Sequence, residues 1–190
     1  MGTVTTSKMG VALALVATLA MSGCCKKNSS SSTSSSSGSN ASGDTGETVT
    51  MPKAKVQFDA PGGWKKTTSD DGWTIFMPGD KFANLAFVTF DKPNESTRRI
   101  GQMSARLGVD IDWSAAGSRH SSNVGKGAYP SQWGETNACK LHGGDPCYMW
   151  YATVNPGTTD QVLIVYTVNT AKGSAHKANA KAAVDSLRAL

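Results

Sequence analysis

Charge is scarce in these 190 residues, with only 17% Asp, Glu, Lys or Arg. Nineteen bases against 14 acids leave a net charge of +5, and the bases from Met51 onward are scattered. A nucleic-acid reader needs a basic stripe interleaved with aromatics to follow phosphates. None is present, so nucleic acid is not an expected partner. Histidine is rarer still, at three residues. There is no His-Glu-x-x-His metal motif, no Gly-x-Ser-x-Gly nucleophile elbow and no phosphate-cradling glycine loop. These absences remove the usual hydrolase, metallopeptidase and dinucleotide signatures, and no cofactor is implied. One apolar run is long enough to consider as a membrane segment, and it lies at the N-terminus; a multi-pass membrane protein is excluded. The length suits one ordinary domain with attachments, not two large domains. A hydrophobic share of 38% points to an uncharged polar segment diluting a normal domain, whose core is supplied by aromatics that include five Trp.

What is present begins with an address. Met1 to Gly23 read as an export signal, with Lys8 ahead of an apolar stretch from Met9 to Met21. As a helix this stretch is about 20 Å long, short of a ~30 Å hydrocarbon core. A cleaved signal fits better than a permanent span. Ser22-Gly23-Cys24 resembles the lipobox of bacterial lipoproteins, although Met21 stands where Leu is usual. The resemblance implies cleavage before Cys24, diacylglyceryl modification of its thiol and attachment to a membrane. Cys25 is a second candidate, and an ordinary secretory signal with two incidental cysteines is the plainer alternative. The residue after Cys24 is not Asp, so the resemblance implies the outer membrane, facing the periplasm or exterior. Residues 24–50 then form a tether. Asn28 to Thr50 is dominated by serine and carries almost no aliphatic residue, so it cannot offset chain entropy and is expected to be disordered. Its span as a flexible coil is roughly 25 Å.

The folded domain is expected over residues 51–190. Val56 and Phe58 alternate with polar neighbours, as in a half-buried strand. Ser69-Asp-Asp-Gly72 has hairpin-turn chemistry ahead of a strand from Trp73 to Met77. Asn84 to Phe90 is apolar on both faces, which predicts the middle of a sheet covered on both sides. Asn94 is placed to cap a helix with Ile100, Met103 and Leu107 on its inner face and Gly108 at its end. Val109 to Gly127 reads as a long loop with a short strand or turn near Ile111 to Trp113. A hairpin follows, Ala128 to Leu141 and Pro146 to Asn155, turning at His142-Gly-Gly-Asp145. Gln161 to Asn169 is the clearest strand in the chain, and a helix capped by Ser174 is expected to run to about Leu190. Consecutive hairpins predict an α+β fold, mostly antiparallel sheet flanked by helices.

The opening strand, Ala60-Pro-Gly-Gly-Trp64, the mid-chain helix, the apolar strand Val162 to Val168 and the closing Ala183-Val-Asp-Ser-Leu-Arg188 together resemble the PsbP/Mog1-like superfamily over about residues 55 to 190. That resemblance implies an α/β/α sandwich with accessory, assembly or binding roles, and it supplies no residue set to carry over.

Candidate chemistry is sparse. Cys139 and Cys147 lie symmetrically about Gly143, one on each arm of the predicted hairpin, and an exported chain meets oxidising conditions. A disulfide is expected; a metal site with His142, completed by His120 or His176, and free thiols are the alternatives. Asp110 and Asp112 would share a face of an extended segment and, with His120, could form the site of a small envelope hydrolase. Asp70 and Asp71 are explained as turn formers. Trp73 and Trp150 are expected in the core, and Trp64 at one end of the sheet. Trp113 and Trp133 stand in polar, glycine-rich surroundings and are the candidate binding residues, since exposed aromatics stack on sugars or proteins. The expected function is a lipid-anchored, non-enzymatic binding or assembly module with a protein or cell-envelope partner.

Overall fold

The computed structural model describes residues 45–190, except Pro93 and Ala116. The signal at 1–23, the lipidation candidate Cys24 and the tether as far as residue 44 lie outside the described residues.

Eight strands form one antiparallel sheet in the order β3-β4-β5-β10-β9-β8-β6, with β7 also on β8. Its centre is β5 (Ala83–Phe90) beside β10 (Gln161–Asn169), the two segments whose sequences are apolar on both faces. Every residue of β10 after Gln161 is buried. β3 (Lys65–Thr68) and β4 (Thr74–Met77) extend the sheet on one side. The turn between them is the expected one: Ser69 N–H donates to Trp73 O at 2.9 Å, and Gly72 sits at φ +86°, where a side chain would be strained. On the other side lie β9 (Pro146–Val154) and β8 (Tyr129–Leu141), the long hairpin. β6 (Val109–Ile111) and β7 (His120–Val124) both pair with β8, opposite its last and first residues respectively.

Period-two alternation divides the core between the two sheet faces. One face carries Leu85, Phe87, Ile164, Tyr166 and Val168. It is covered by a second, small sheet in the order β1-β2-β11 and by α2 (Lys177–Asp185). Phe58 of β2 (Val56–Pro61) stacks on Phe87 at 3.9 Å and meets Phe76 edge-on at 5.9 Å. Ala180, Ala183 and Val184 of α2 join this core. The opposite face carries Ala86, Val88, Phe90, Leu163 and Val165, and α1 (Glu95–Arg106) covers it with Ile100 and Met103. Helices therefore flank the sheet on both sides, as the sequence implies. Trp73 is fully buried on the α1 side, while Trp150 is half-buried and Trp64 packs at the edge of the other core.

Four local expectations need correction. β1 (Thr45–Met51) pairs with β2, so the residues from Thr45 that were assigned to the tether belong to the domain. The segment read as a loop up to Gly127 contains β7. Asn94 stands at the cap position of α1 without a side-chain capping bond; Glu95 instead bridges Arg98 and Arg99, each at 3.1 Å. The last helix starts at Lys177, after a single tight turn over Ser174–His176, and stops at Asp185. Ser186 explains the stop: its hydroxyl accepts from Asp59 N–H and donates to Ala183 O, both at 2.7 Å. Leu187 is then fully buried, and β11 (Arg188–Ala189) pairs with Gln57 and Val56 of β2. Docking on β2 wins over continued helix because it buries Leu187 and puts Arg188 on Asp59, at 2.8 Å.

Candidate functional site

Cys139 and Cys147 are directly opposite each other in the β8–β9 register, with Cα atoms 5.3 Å apart, and they form a disulfide. Both are buried in the α1-side core. Their sulfurs are committed to each other and are not thiolates for a metal. His142, in the same turn, lies against Gly108: a Cβ at that glycine would come within 2.5 Å of the imidazole ring. His120 sits on β7, opposite Trp133, and His176 Nε2 lies 2.8 Å from Asp80 Oδ2. Bonding from Phe82 N–H, then from His176, holds the Asp80 carboxyl below the usual range. The three histidines thus occupy three separate places.

The two acids of the hydrolase alternative do not meet His120. Asp110 pairs with Lys140, and Asp112 N–H donates to Ala138 O, so both flank the last residues of β8. His120 flanks Trp133. At ~3.3 Å per residue this separates them by roughly 17–23 Å along one strand. Asp112 is occupied locally: it accepts from Ser114 N–H at 3.0 Å and from Ser114 Oγ, and these bonds lower its pKa.

Two concavities meet at Trp133. The larger is a groove of about 630 Å³ on the α1 side of the sheet. Ser96 and Ile100 of α1 form one flank, and residues of β7, β8, β9 and β10 form its floor and far wall. The lining is almost wholly neutral and hydrogen-bonding: Ser121, Asn123, Gln132, Thr153, Asn155 and Gln161 among others, with Arg119 the single charge. Tyr151 also lines it. That residue is only 8% exposed, and its ring lies over Gly134, where an added Cβ would come within 2.5 Å of Oη. Gly134 therefore opens the space that the tyrosine fills.

The smaller cleft, about 280 Å³, lies under α2 on the opposite face and is aromatic: Trp133, Tyr148, Trp150 and Tyr166. Tyr148 Oη donates to Glu135 Oε2 at 2.5 Å, and Lys177 Nζ lies 5.5 Å from the Tyr148 ring centre. Burial, reinforced by Glu135, pushes the Tyr148 hydroxyl up. Burial alone does so for Tyr166, whose Oη has no hydrogen-bond partner among the described residues.

The structure thus separates the two tryptophans singled out from the sequence. Trp133 forms the wall shared by both concavities and stacks on His120 at 4.5 Å between ring centres. Trp113 is 47% exposed on a short turn and lines neither. The polar groove itself is the feature sequence reasoning missed. Its residues come from four strands and a helix, each individually unremarkable, and only Gly134 inside a strand pattern hinted at a close approach.

No protein-family model matches the sequence, and no curated protein does. Solved structures do match. One is the solution structure of cyanobacterial PsbP (CyanoP) from Synechocystis sp. PCC 6803, with TM-score 0.53 and 9% identity, covering 83% of this chain and 98% of that one. A second is a crystal structure from Bacteroides thetaiotaomicron, with TM-score 0.49 and 16% identity, covering 77% of this chain and about half, 49%, of that one. The fold is PsbP-like.

Proposed function

We propose that this chain is a non-enzymatic binding or assembly module held at a bacterial envelope through a lipidated Cys24, with the groove beside Trp133 as its working surface. One observation carries the reading. The groove is lined mainly by neutral donors and acceptors, with Arg119 its one charge and no carboxylate, histidine or cysteine among its lining residues, while Asp110 and Asp112 stand a strand's length from His120. Such a lining is able to hold a ligand, and it sets no histidine or carboxylate beside its hydroxyls to activate one as a nucleophile. The PsbP-like fold supports the reading only as architecture. The anchor rests on the sequence at residues 21–24.

Expression of the full chain in a bacterial host tests both halves. Two or more acyl chains anchor stably, whereas lysines alone give an association that salt removes. The protein is therefore expected in the membrane fraction in high salt, with an intact mass showing lipid-modified Cys24. Cys24→Ala should abolish acylation and Cys25→Ala should not. Purified protein should leave ester, peptide, phosphate and glycan panels untouched. A reproducible hydrolysis lost on His120→Ala would replace this reading with the hydrolase one.

A further inference from the structure

We propose that the groove between α1 and strands β7–β10 is a saccharide site, holding a short oligosaccharide through its hydroxyl groups without cleaving it. This names the ligand class for the working surface proposed above and rests on that reading.

The argument is one of chemical matching. A sugar offers many hydroxyls, each both donor and acceptor, around a faintly apolar ring. The best complement is a set of amides and hydroxyls that also work in both directions. Gln132, Asn123, Asn155 and Gln161 supply amides; Ser121, Thr153 and Tyr151 supply hydroxyls. Tyr151 is the most deeply held of these, 8% exposed and packed with its ring over Gly134. The volume, about 630 Å³, falls within the roughly 300–1,000 Å³ of small-molecule sites. Other ligand classes fit less well. A phosphate polymer needs several cations, and the groove has Arg119 alone. A metal needs a cluster of His, Cys, Asp or Glu, and the described residues hold no group of three. Glycoside hydrolysis ordinarily needs two carboxyl groups flanking the scissile bond, and none lines the groove. Arg119, lying 3.5 Å from Thr97 Oγ1 and with no carboxylate across the groove, favours a sugar that itself carries an acid.

Titration of the full chain with chitotriose (neutral) and trigalacturonate (acidic) tests this. Trigalacturonate should bind more tightly, and its advantage should shrink with salt and vanish in Arg119→Gln. Gln132→Ala, at an exposed position, should weaken both by about three- to tenfold. Free sugar and envelope glycan share this chemistry. Co-sedimentation with purified peptidoglycan, competed by chitotriose, assigns the site to the polymer; soluble binding without co-sedimentation assigns it to free sugar. The proposal is overturned if neither trisaccharide binds at up to about 10 mM, or if both bind equally to the wild type and the two variants. Capture of a peptide in the groove with no saccharide binding would end this proposal and leave the binding-module reading standing. Cleavage of either trisaccharide would end both.

Discussion

The two faces of the eight-stranded sheet are closed in different ways. One is roofed by a second sheet and a helix, and three phenylalanines from three strands meet beneath that roof. The other is roofed, among the described residues, by α1, 12 residues or about 18 Å long. A helix of that length cannot cover strands such as β8, which has 13 residues. The groove opens where this cover runs out, and the side chains there switch from apolar to amide and hydroxyl. The disulfide lies on the same thinly covered face. In this fold, then, one face of the sheet is given to stability and the other divides its area between core, covalent staple and open surface.

The comparison breaks most severely at the phenylalanine cluster. Phe58→Ala removes a fully buried ring stacked on Phe87, and should cost about 3–5 kcal/mol by loss of burial plus the cavity left behind. Urea unfolding should show a lower midpoint, while an exposed control on the other face, Gln132→Ala, should barely move it.

On the opposite face the corresponding test is covalent. Replacing both Cys139 and Cys147 with Ala should lower stability by about 2–3 kcal/mol, the loop-closure value for so short a separation. The wild type, denatured without reductant, should show no thiol from this pair on labelling. Two reactive cysteines at 139 and 147 would refute the assignment.

A smaller change should run the other way. Tyr166 is 5% exposed and its hydroxyl is unpartnered among the described residues, so Tyr166→Phe removes a desolvated polar group without opening a cavity. The variant should melt at or above the wild-type temperature, with a gain of up to about 1 kcal/mol. A clear loss of stability would mean that the hydroxyl has a partner in solution.

The smallest effect concerns the seam that closes the roofed face. The Arg188 guanidinium on Asp59 holds that carboxyl below the usual range, against the opposing cost of burial. A folded pKa below the unfolded one gives stability that is present above the unfolded value, near 4, and is lost as pH falls through the folded value. The contribution should be about 0.5–1 kcal/mol. Arg188→Gln should remove this part of the acid dependence, measured as unfolding midpoints from pH 7 down to about pH 2.

The strands legible in the sequence are those that carry their own burial. β5 and β10 are apolar on both faces, and the cysteine hairpin is framed by its glycine turn. The strands that were not legible have little apolar content of their own. Lys65–Thr68 is exposed throughout, and His120–Val124 is exposed except at Val124. Both are edge strands whose conformation is set by the partner's hydrogen bonds, not by a period-two pattern. The C-terminal error has the same origin. Ala183 to Arg188 continues a helical stripe, and only contacts with Asp59 and Gln57, more than 120 residues away, draw it out of the helix. At the site, Trp133 was legible as a candidate, but Gln132, Tyr151, Thr153 and Gln161 become a group only when three adjacent strands bring them together.

The burial of the cysteine pair also constrains the order of events during maturation. Cys139 and Cys147 are 5% and 1% exposed in the finished domain. Thiol–disulfide exchange needs in-line access to a sulfur, so an oxidant or oxidoreductase would find almost no target on a chain that had already packed α1 over the sheet. Oxidation must therefore come while the hairpin is still open, before the helix docks. The same geometry later shields the bond, so a reductant has to wait for that part of the domain to open. Sensitivity to reduction thus becomes a clock for local opening of the thinly covered face.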